Sequence, residues 1–379
     1  MIEIKEAKTK KQQKEFIDFP LKLYKGNPCF VPPLYGDEKK VFRDDFVYND
    51  TCEAVYYNAY RDGEMVGRIS GILQKASNEK HNEKRIRFTR FDAIDDQAVA
   101  DALFAALEKW AIAKGMDTVC GPLGFSDLER EGLLVEGFDQ LSTFEEQYNA
   151  DYYEKLIKNC GYAMEVEWVE SKIYLPEERN ERYEKAADYI MKRYNLRFGE
   201  AKNKREFIEK YGDGFFDLLD IAYKDIYGTV PFTPGMKKMM IDNFMLIIDL
   251  RNVAVILDEE GKVICMGICF PSIAKAVQKS NGKLTPAALV RLLKAIKKPR
   301  VIDLGLIAVH PDYANRGIGA CISAGLMKML RADNIEYAET NLNLVDNHAI
   351  LNTWKRFKAI QHKRRRAYVK QLMNGENAK

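Results

Sequence analysis

The order of apolar segments repeats within this chain, and the repeat limits the folds that the chain can adopt. Residues 54–73 and 252–270 each contain two β-rich segments around a short polar turn with a glycine, which is typical of a β-hairpin. Each hairpin is followed by another strand-like segment, an apolar helical segment and one more strand-like segment. The same four segments in the same order predict a duplicated α/β unit.

Three segments complete each half of the repeat. They are 85–94, 96–115 and 116–123 in the first half, and 301–309, 317–334 and 335–345 in the second. Both helical segments carry apolar residues every three or four positions, as in a helix packed on a sheet. A chain of 379 residues also exceeds what one core usually serves. We therefore predict two domains, 1–176 and 177–379, each a mixed β-sheet flanked by helices.

Charge is divided unequally along the chain. Residues 261–379 contain 21 lysines and arginines against 7 aspartates and glutamates, whereas residues 1–260 contain 38 against 49. No carboxylate occurs between Glu260 and Asp303, a stretch with nine basic residues. A basic C-terminal part indicates an anionic partner, either nucleic acid or the phosphates of a small cofactor.

The cysteines and the first residues bear on the cellular compartment. Seven cysteines are scattered without a Cys-x-x-Cys motif, which favours reduced, buried thiols over a disulfide framework or a zinc site. Cys321 is expected to be such a core thiol, with a nucleophile as the alternative. Residues 1–16 are charged throughout, and no apolar run is long enough for a membrane span. We expect a cytoplasmic protein without integral membrane association.

The second helical segment begins differently from the first. Asp95 or Asp96 can cap the first helix by accepting backbone N–H bonds. The second helix follows Arg316 and contains Gly317 and Gly319 at its start, without an acidic cap. N–H groups at a helix start, the helix dipole and an arginine suit a phosphate, and glycine lets an anion approach the amides closely. A glycine pair before a helix is also common where a helix packs closely on its neighbours, so the motif alone does not decide between phosphate binding and packing.

The stretch LGLIAVHPDYANRGIGACI resembles the acyl-CoA-binding signature of the GNAT superfamily of acyl-CoA-dependent N-acyltransferases. The pattern is glutamine or arginine, two residues, glycine, one residue, then glycine or alanine, and it falls on residues 314–319. Ala314 departs from it, because a polar residue is expected there. The resemblance implies acetyl-CoA or a longer acyl-CoA as the cofactor. It also implies transfer of the acyl group, expected to be acetyl, to a small-molecule or peptide amine of unknown identity.

The same resemblance implies the residues that hold the cofactor. A strand edge ending at Val309 would bind the pantetheine arm, and backbone amides at the helix start would hold the pyrophosphate. Asn347 matches the asparagine that starts the family's closing helix, and Trp354 lies where many members carry a tyrosine near the departing thiolate. The implied residues are Ala308, Val309, Asn315, Arg316, Gly317, Ile318, Gly319, Ala320, Asn347 and Trp354.

Two carboxylates are the candidate bases for this reaction. Asp303 lies on the strand beside the expected thioester, where some family members carry a glutamate base, and Glu339 on the next strand is the second candidate. The amine would lose a proton to one of them and attack the thioester directly, without a metal or a covalent enzyme intermediate. Backbone amides near Ala308 and Val309 would stabilise the oxyanion. The alternative for Asp303 is a carboxylate in solvent at the end of the strand. His310, which follows this strand, is either a further catalytic residue or simply a residue of the loop.

The first half resembles a second copy of the same superfamily, in a tandem arrangement known from uncharacterised bacterial proteins. The segments that carry this resemblance are NPCFVPPL, VGRISG, GPLGFSDLEREGLLVEGFD and YNADYYEKLIKNCGY, with GTVPFT in the second half. Because Asp95 and Asp96 occupy the place where a phosphate would lie, we expect the 1–176 domain to bind no cofactor. A tandem pair is compatible with a monomer, although the sequence leaves the oligomeric state open.

Two segments allow several interpretations. The basic insertion at 273–300 predicts a helix that begins at Pro286. This helix has three alternative roles: a lid over an acyl chain, a helix on a membrane surface, or a solvated helix packed on its own domain. The apolar face expected for this helix comprises Leu289, Leu292, Leu293 and Ile296. The acidic loop at 121–139 either attracts a cationic amine or forms an acidic surface.

Two other function classes are alternatives to the acyltransferase. A non-enzymatic acyl-CoA sensor would keep the cofactor site without a base and an acid, and Trp354 favours it because tryptophan has no titratable proton. A nucleic-acid-binding module would use the basic runs. Only Phe357 and Tyr368 are interleaved with the eight basic residues of 355–370, so we expect no nucleic acid partner.

Overall fold

The computed structural model describes residues 1–177, 181–332 and 335–372. Over these residues the chain forms two compact units. The N-terminal unit comprises Met1–Trp168, Ala274–Leu289 and the chain from Lys363 onward, and the C-terminal unit comprises Val169–Ile273 and Val290–His362. The predicted domain ranges, 1–176 and 177–379, stay a prediction.

The elements of the described residues are numbered in chain order. The strands are β1 (Ile2–Glu6), β2 (Cys52–Arg61), β3 (Glu64–Gln74), β4 (Arg85–Ala93), β5 (Thr118–Gly121), β6 (Leu133–Glu136), β7 (Ala163–Tyr174), β8 (Arg197–Phe198), β9 (Val253–Leu257), β10 (Val263–Pro271), β11 (Val301–Val309), β12 (Tyr337–Thr340), β13 (Asn343–Leu344) and β14 (Lys358–Gln371). The helices are α1 (Lys10–Leu23), α2 (Tyr35–Lys40), α3 (Lys75–His81), α4 (Gln97–Ala113), α5 (Tyr153–Asn159), α6 (Glu181–Arg193), α7 (Lys204–Ala222), α8 (Pro234–Ile247), α9 (Ala274–Gln278), α10 (Pro286–Lys297), α11 (Pro311–Ala314), α12 (Ile318–Ala332) and α13 (His348–Trp354), with a 3-10 turn at Leu250–Asn252. Both predicted hairpins and both predicted helices are confirmed by these bounds.

The N-terminal unit is built on a mixed sheet in which β1, β2, β3, β4 and β5 lie side by side, followed by the part of β14 after Lys363. Neighbouring strands are antiparallel except β4 and β5, which are parallel. The predicted apolar positions of α4 are buried against this sheet, among them Val99, Leu103 and Leu107. Burial of such a stripe removes apolar surface from water and supplies most of the stabilisation.

The C-terminal unit repeats this arrangement. Its sheet has the strand order β12, β11, β10, β9 and β8, with the part of β7 after Trp168 next to β12. β11 and β12 are parallel, and the other pairs are antiparallel. α12 and α13 bury apolar side chains on one face, where Ile302 and Leu304 lie, and α7 covers the other face around Met266 and Ile268. Each unit is thus a mixed sheet flanked by helices, which confirms the predicted fold class.

A β-bulge interrupts β11 in its middle. Leu304 lies opposite Cys269 and Leu306 lies opposite Ile268, so Gly305 is an extra residue without a partner in β10. A Cβ on Gly305 would overlap the Phe270 ring and lie 3.0 Å from Ile268 O. A glycine is therefore favoured here, because the Phe270 ring occupies the place of a Cβ and the β10 backbone lies close behind it.

Five of the seven cysteines are buried, as their scattered positions predicted, whereas Cys160 and Cys269 are partly exposed. Cys265 and Cys321 are buried between α6, α12 and the sheet, and Cys321 belongs to the core there. Burial raises the pKa of the Cys265 thiol to about 12 and also raises the pKa of the Cys321 thiol. Burial, with the negative charge of Asp303 adding to it, raises the pKa of the Cys269 thiol to about 12. These thiols are protonated at neutral pH, which fits a structural role.

No helix of the described residues combines the length and the apolar character needed to cross a bilayer.

Replacing Gly305 by Ala is expected to lower the free energy of unfolding by about 1–3 kcal/mol, because the methyl group meets Phe270 and the β10 backbone. The measurement is urea denaturation followed by far-ultraviolet circular dichroism. Gly325→Ala is the control, since a Cβ there meets no atom within 4 Å and alanine favours the α12 helix. A Gly305→Ala variant as stable as the control would show that β10 and β11 accommodate a side chain at the bulge.

Alkylation of Cys265 and Cys321 by iodoacetamide at pH 8 is expected to be at least ~100-fold slower in the native protein than in guanidinium chloride, because both thiols are buried and protonated. Each raised pKa predicts that labelling accelerates as the pH rises. Peptide mass spectrometry measures the rate at each cysteine. Rapid native labelling of Cys321 would identify an accessible thiolate and return it to the candidate nucleophiles.

Candidate active site

The start of α12 is the place where the sequence predicted a phosphate. Gly317 has a φ of +83°, a left-handed conformation that glycine adopts without strain. Its carbonyl accepts a bond from Ala320 N at 2.8 Å, so the helix begins directly after it. The Ala320 N–H is thus engaged within the protein, whereas the N–H groups before it in the first turn lie at the positive end of the dipole and have no intrahelical acceptors. They are suited to an anion.

Arg316 is held beside this helix start by two aromatic rings. Its Cζ lies 4.6 Å from the ring centroid of Tyr313 and 5.3 Å from that of Tyr194. Cation–π contacts of this kind restrict a long side chain without neutralising its charge. The guanidinium is therefore fixed near the helix start and keeps its positive charge available.

Arg356 is a second cation at the same place, and sequence reasoning missed it. Its Nη1 donates to Ser323 Oγ at 3.0 Å, and Ser323 Oγ donates to Gly319 O at 2.7 Å. A Cβ on Gly319 would lie 3.3 Å from Arg356 Nη1. Arg356 and Gly319 are distant in sequence. The basic run of 355–370 was the available signal for an arginine at this place.

β11 parts from β12 halfway along its length. The parallel register pairs Val301–Leu304 with Tyr337–Thr340, and within the described residues β12 pairs with no part of β11 beyond Leu304. On its other side β11 stays paired with β10 as far as Val309. The second half of β11 therefore has one backbone edge that β12 does not use. This is the kind of edge that the resemblance expected for the pantetheine arm.

The direction of each backbone group on β11 follows from its ladder with β10. His310 N donates to Ile264 O at 2.8 Å, so the backbone groups of His310 face β10. Groups alternate in direction along an antiparallel strand, which turns Ala308 toward β10 and turns Ile307 and Val309 away from it. Of the two amides predicted to stabilise an oxyanion, Val309 N–H thus faces outward and Ala308 N–H faces β10.

The N-terminal unit uses the equivalent groups internally. Ala93, the last residue of β4, donates its N–H to Tyr153 Oη at 2.9 Å and accepts a bond from Tyr152 Oη at 2.8 Å. Asp96 caps α4 by accepting from Ala98 N at 2.9 Å, which confirms one of the two predicted caps. The strand end and the helix start of this unit are therefore satisfied by protein groups.

The two predicted bases lie next to each other in the C-terminal unit. Asp303 on β11 and Glu339 on β12 are direct register partners, so their side chains project from the same face of the sheet. Both residues are buried. The structure thus brings together two carboxylates that the sequence identified separately, at the point just before the strands part.

His362 hydrogen-bonds to one of these carboxylates, and sequence reasoning missed it. Its Nε2 lies 2.8 Å from Glu339 Oε1, and its Nδ1 lies 3.1 Å from Glu170 O. A carbonyl oxygen can only accept, so Nδ1 carries a proton, and a second proton must lie between Nε2 and the carboxylate. The pair is either an imidazolium with a carboxylate or a neutral imidazole with a carboxylic acid. In both cases its net charge is zero.

Further polar residues surround the carboxylate pair. Lys172 on β7 is the register partner of Glu339, and its Nζ lies 5.2 Å from the centroid of the Tyr337 ring. Burial raises the pKa of the Tyr337 hydroxyl, and the negative charges of Glu339 and Asp303 add to this effect. Tyr337 is therefore a neutral hydroxyl group beside the charged ones.

Asn347 and Trp354 have structural partners. Asn347 caps α13 by accepting from Ile350 N at 3.3 Å, as its place at the helix start predicted. Trp354 is buried in the core beneath α12, and its Nε1 donates to Asn343 Oδ1 at 2.7 Å. The indole N–H is thus engaged within the protein.

His310 caps a short helix. It precedes α11, where its Nδ1 accepts from Asp312 N at 3.3 Å, and its Nε2 lies 3.3 Å from Lys262 Nζ. These contacts explain the histidine without a catalytic role.

The acidic loop at 121–139 is only partly a surface. Glu131 is buried in the N-terminal unit, whereas Glu136 and Asp139 are exposed. Burial raises the pKa of the Glu129 carboxyl, and it raises that of Glu131 well above its usual range. The raised pKa values oppose ionisation of both carboxyl groups. The loop is therefore neither a uniform attractor for a cationic amine nor a uniform acidic surface.

The predicted residues therefore form two groups joined by one strand. Asp303 and Glu339 lie where β11 and β12 are still paired, and residues 315–320 lie at the start of α12. Between them β11 runs from Asp303 to Val309, a distance of roughly 20 Å for six residues of strand, and β12 leaves its edge unused after Leu304. A ligand that reaches both groups must be long, anionic at one end and able to bond to a strand edge.

Two curated proteins are similar to this chain over nearly their whole length. Protein YghO of Escherichia coli strain K12 is 27% identical over 374 residues, which are 96% of this chain and 94% of YghO. A protein named bacterial ceramide synthase, from Caulobacter vibrioides, is 25% identical over 380 residues, 97% of this chain and 96% of its own length. No family model matches the chain.

Solved structures agree with the fold inferred from the sequence. A tandem GNAT protein from the clavulanic acid biosynthesis pathway superposes on 99% of this chain and 100% of its own length, with a TM-score of 0.57 and 11% sequence identity. At that identity the likeness concerns the fold. The chain resembles the tandem GNAT proteins and has their fold, two GNAT-like domains in one polypeptide.

Proposed function

We propose that the C-terminal unit binds an acyl-CoA and transfers its acyl group to an amine. The observation that carries this proposal is the free edge of β11, which connects the Asp303–Glu339 pair with the start of α12. Few cofactors combine several phosphates with an extended amide-containing arm. Coenzyme A has both, with a reactive thioester at the far end of the arm.

The residues at the start of α12 fit the phosphate part of such a cofactor. The amides of Gly317, Ile318 and Gly319 would hold a phosphate. At Gly319 no Cβ lies in its way, whereas a Cβ on Gly317 would lie 2.8 Å from Ile190 Cδ1, so that glycine makes room for Ile190. Arg316 and Arg356 would supply charge-assisted bonds from two sides. Ala314, which departs from the family pattern, would contribute its backbone alone.

The free edge of β11 fits the pantetheine part. The N–H groups of Ile307 and Val309 face away from β10 and would bond to carbonyl groups of an extended arm. Tyr223 Oη donates to Ile307 O at 2.9 Å, so this carbonyl already has one donor. The coenzyme would supply the acyl group as a thioester. Val309 lies at the end of β11 near α12, roughly 20 Å from Asp303, so its N–H would bond to the arm rather than to the oxygen that gains charge when an amine attacks.

Proton transfer would fall to the carboxylate pair. An amine is protonated at neutral pH and must lose a proton before it can attack, and Asp303 would accept that proton. Glu339 shares a proton with His362 and forms with it a pair of zero net charge, so it would position the amine rather than take its proton. Trp354 has no titratable proton and donates its N–H to Asn343, so water would protonate the departing sulfur.

The name of one relative bears on the substrates. A ceramide is an amide of a fatty acid with a long-chain amino alcohol, so a ceramide synthase forms the kind of bond that we propose here. We therefore extend the expected acyl group from acetyl to long fatty acyl chains and propose a long-chain amino alcohol as one amine to test. Small amines and peptides remain in the same screen.

Gly319→Glu is expected to weaken acyl-CoA binding at least ~10-fold, because a carboxylate would take the place of the phosphate beside Arg356. Isothermal titration with acetyl-CoA and with palmitoyl-CoA measures the affinity. Gly325→Glu is the matched control, since it puts the same side chain on the exposed part of the same helix. Equal losses in both variants would indicate a damaged helix, and no heat from the unaltered protein with either ligand would contradict the proposed cofactor.

Asp303→Asn is expected to lower the turnover number by ~10²–10⁴-fold and to leave acyl-CoA affinity within about threefold, because asparagine cannot accept the proton. The measurement is thiol release with a panel of amines, including a long-chain amino alcohol. Glu336→Gln is the matched control, an exposed carboxylate three residues before Glu339. Full turnover by Asp303→Asn would rule out this base. Acyl-CoA binding without turnover of any amine would favour the non-enzymatic sensor, which the engaged indole of Trp354 also allows.

A further inference from the structure

The outer face of α10 is apolar although it faces solvent. Leu289, Val290 and Leu293 are 47%, 66% and 58% exposed, and they follow Pro286 at intervals of three, four and seven residues. This spacing aligns them along one side of the helix. Leu284, directly before the helix, is 54% exposed as well.

The opposite side of α10 already contacts the protein. Ala288 is completely buried, and Leu292 and Ile296 are partly buried. The sequence predicted an apolar face of Leu289, Leu292, Leu293 and Ile296 and left open whether it packs on the protein or faces a ligand or a membrane. In the structure Leu289 and Leu293 face outward. The helix has enough apolar residues for two faces, and the core uses one of them.

Basic side chains line the apolar stripe. Lys294 and Lys297 lie next to it on the helix and are exposed, and Lys298 follows the helix. Among the described residues none of these three lysines forms an ion pair. The whole stretch between Glu260 and Asp303 contains nine basic residues and no carboxylate. The outer face of α10 is therefore both apolar and positively charged.

An anionic lipid surface matches both properties at once. Leucine and valine enter the boundary between headgroups and acyl chains, while lysines reach the phosphates at the same level. Twelve residues of helix measure about 18 Å, so α10 can lie on a bilayer but cannot cross it. A second copy is a poorer match, because a twofold contact through this face would bring its lysines together.

We propose that α10 attaches this protein to anionic membranes, with Leu289, Val290 and Leu293 inserted at the headgroup level and Lys294 and Lys297 on the lipid phosphates. The proposal depends on the exposed face of one helix and goes beyond the proposed acyl transfer. Membrane binding and acyl transfer are measured separately, so either can fail without the other.

The test is cosedimentation of the full-length protein with extruded vesicles of phosphatidylcholine alone or of phosphatidylcholine and phosphatidylglycerol at about 3:1. Binding is expected with phosphatidylglycerol, and raised salt should weaken it because the lysines are screened. The double variant Val290→Glu, Leu293→Glu should bind at least ~10-fold more weakly. The double variant Lys294→Glu, Lys297→Glu should bind these vesicles at least ~25-fold more weakly, since each lysine near an anionic surface raises the affinity about fivefold.

Two matched variants separate the effect of this face from general changes. Leu246→Glu alters a leucine of α8 that is 73% exposed, and Lys10→Glu, Lys11→Glu reverses two lysines of α1. Both controls should bind vesicles like the unaltered protein. The proposal is overturned if the unaltered protein binds neither vesicle, if the α10 variants bind normally, or if the controls lose binding equally.

Two further measurements cover folding and self-association. Leu293→Trp keeps the face apolar, and its fluorescence should shift to the blue when phosphatidylglycerol vesicles are added. An unshifted spectrum would overturn the proposal even if the glutamate variants unfold. Sedimentation velocity reports the oligomeric state, and a dimer that dissociates in Val290→Glu, Leu293→Glu without any vesicle binding would assign the face to a second copy instead.

Discussion

The separation of β11 from β12 after Leu304 is the constraint on which the candidate site depends. A sheet normally satisfies the backbone groups of every inner strand, and leaving some of them unused is costly unless another partner bonds to them. Here the bulge at Gly305 changes the course of β11 while the ladder with β10 continues to Val309. The result is a strand inside the sheet with one edge available to a ligand.

The two units show how the same topology can carry different chemistry. In the N-terminal unit, hydroxyl groups of Tyr152 and Tyr153 bond to the end of β4, and Asp96 caps the following helix. In the C-terminal unit, the corresponding helix starts at a glycine with arginines beside it. Fold similarity alone would not separate these two cases, because the difference lies in side chains at a strand end and a helix start.

Charge in the C-terminal unit is balanced over short distances. Burying an isolated carboxylate is expensive, and a neighbour of opposite charge or a shared proton reduces this cost. Glu339 shares a proton with His362, and Lys172 lies across from it in the sheet. Because the pair of Glu339 and His362 has no net charge, Lys172 is the positive charge that offsets Asp303 in this cluster.

The sequence by itself determined the features that depend on neighbouring residues: the hairpins, the helices α4 and α12, and the glycine pair with Arg316. Spacing and capping are local properties, so the chain order was enough to predict them. Only the tertiary structure decided the features that join distant segments. It brought His362 to Glu339, placed Arg356 beside Gly319, and turned Val290 and Leu293 outward. Strand register and helix rotation depend on packing across the whole unit, and a hydrophobic pattern cannot tell which of two apolar helix faces the core will use.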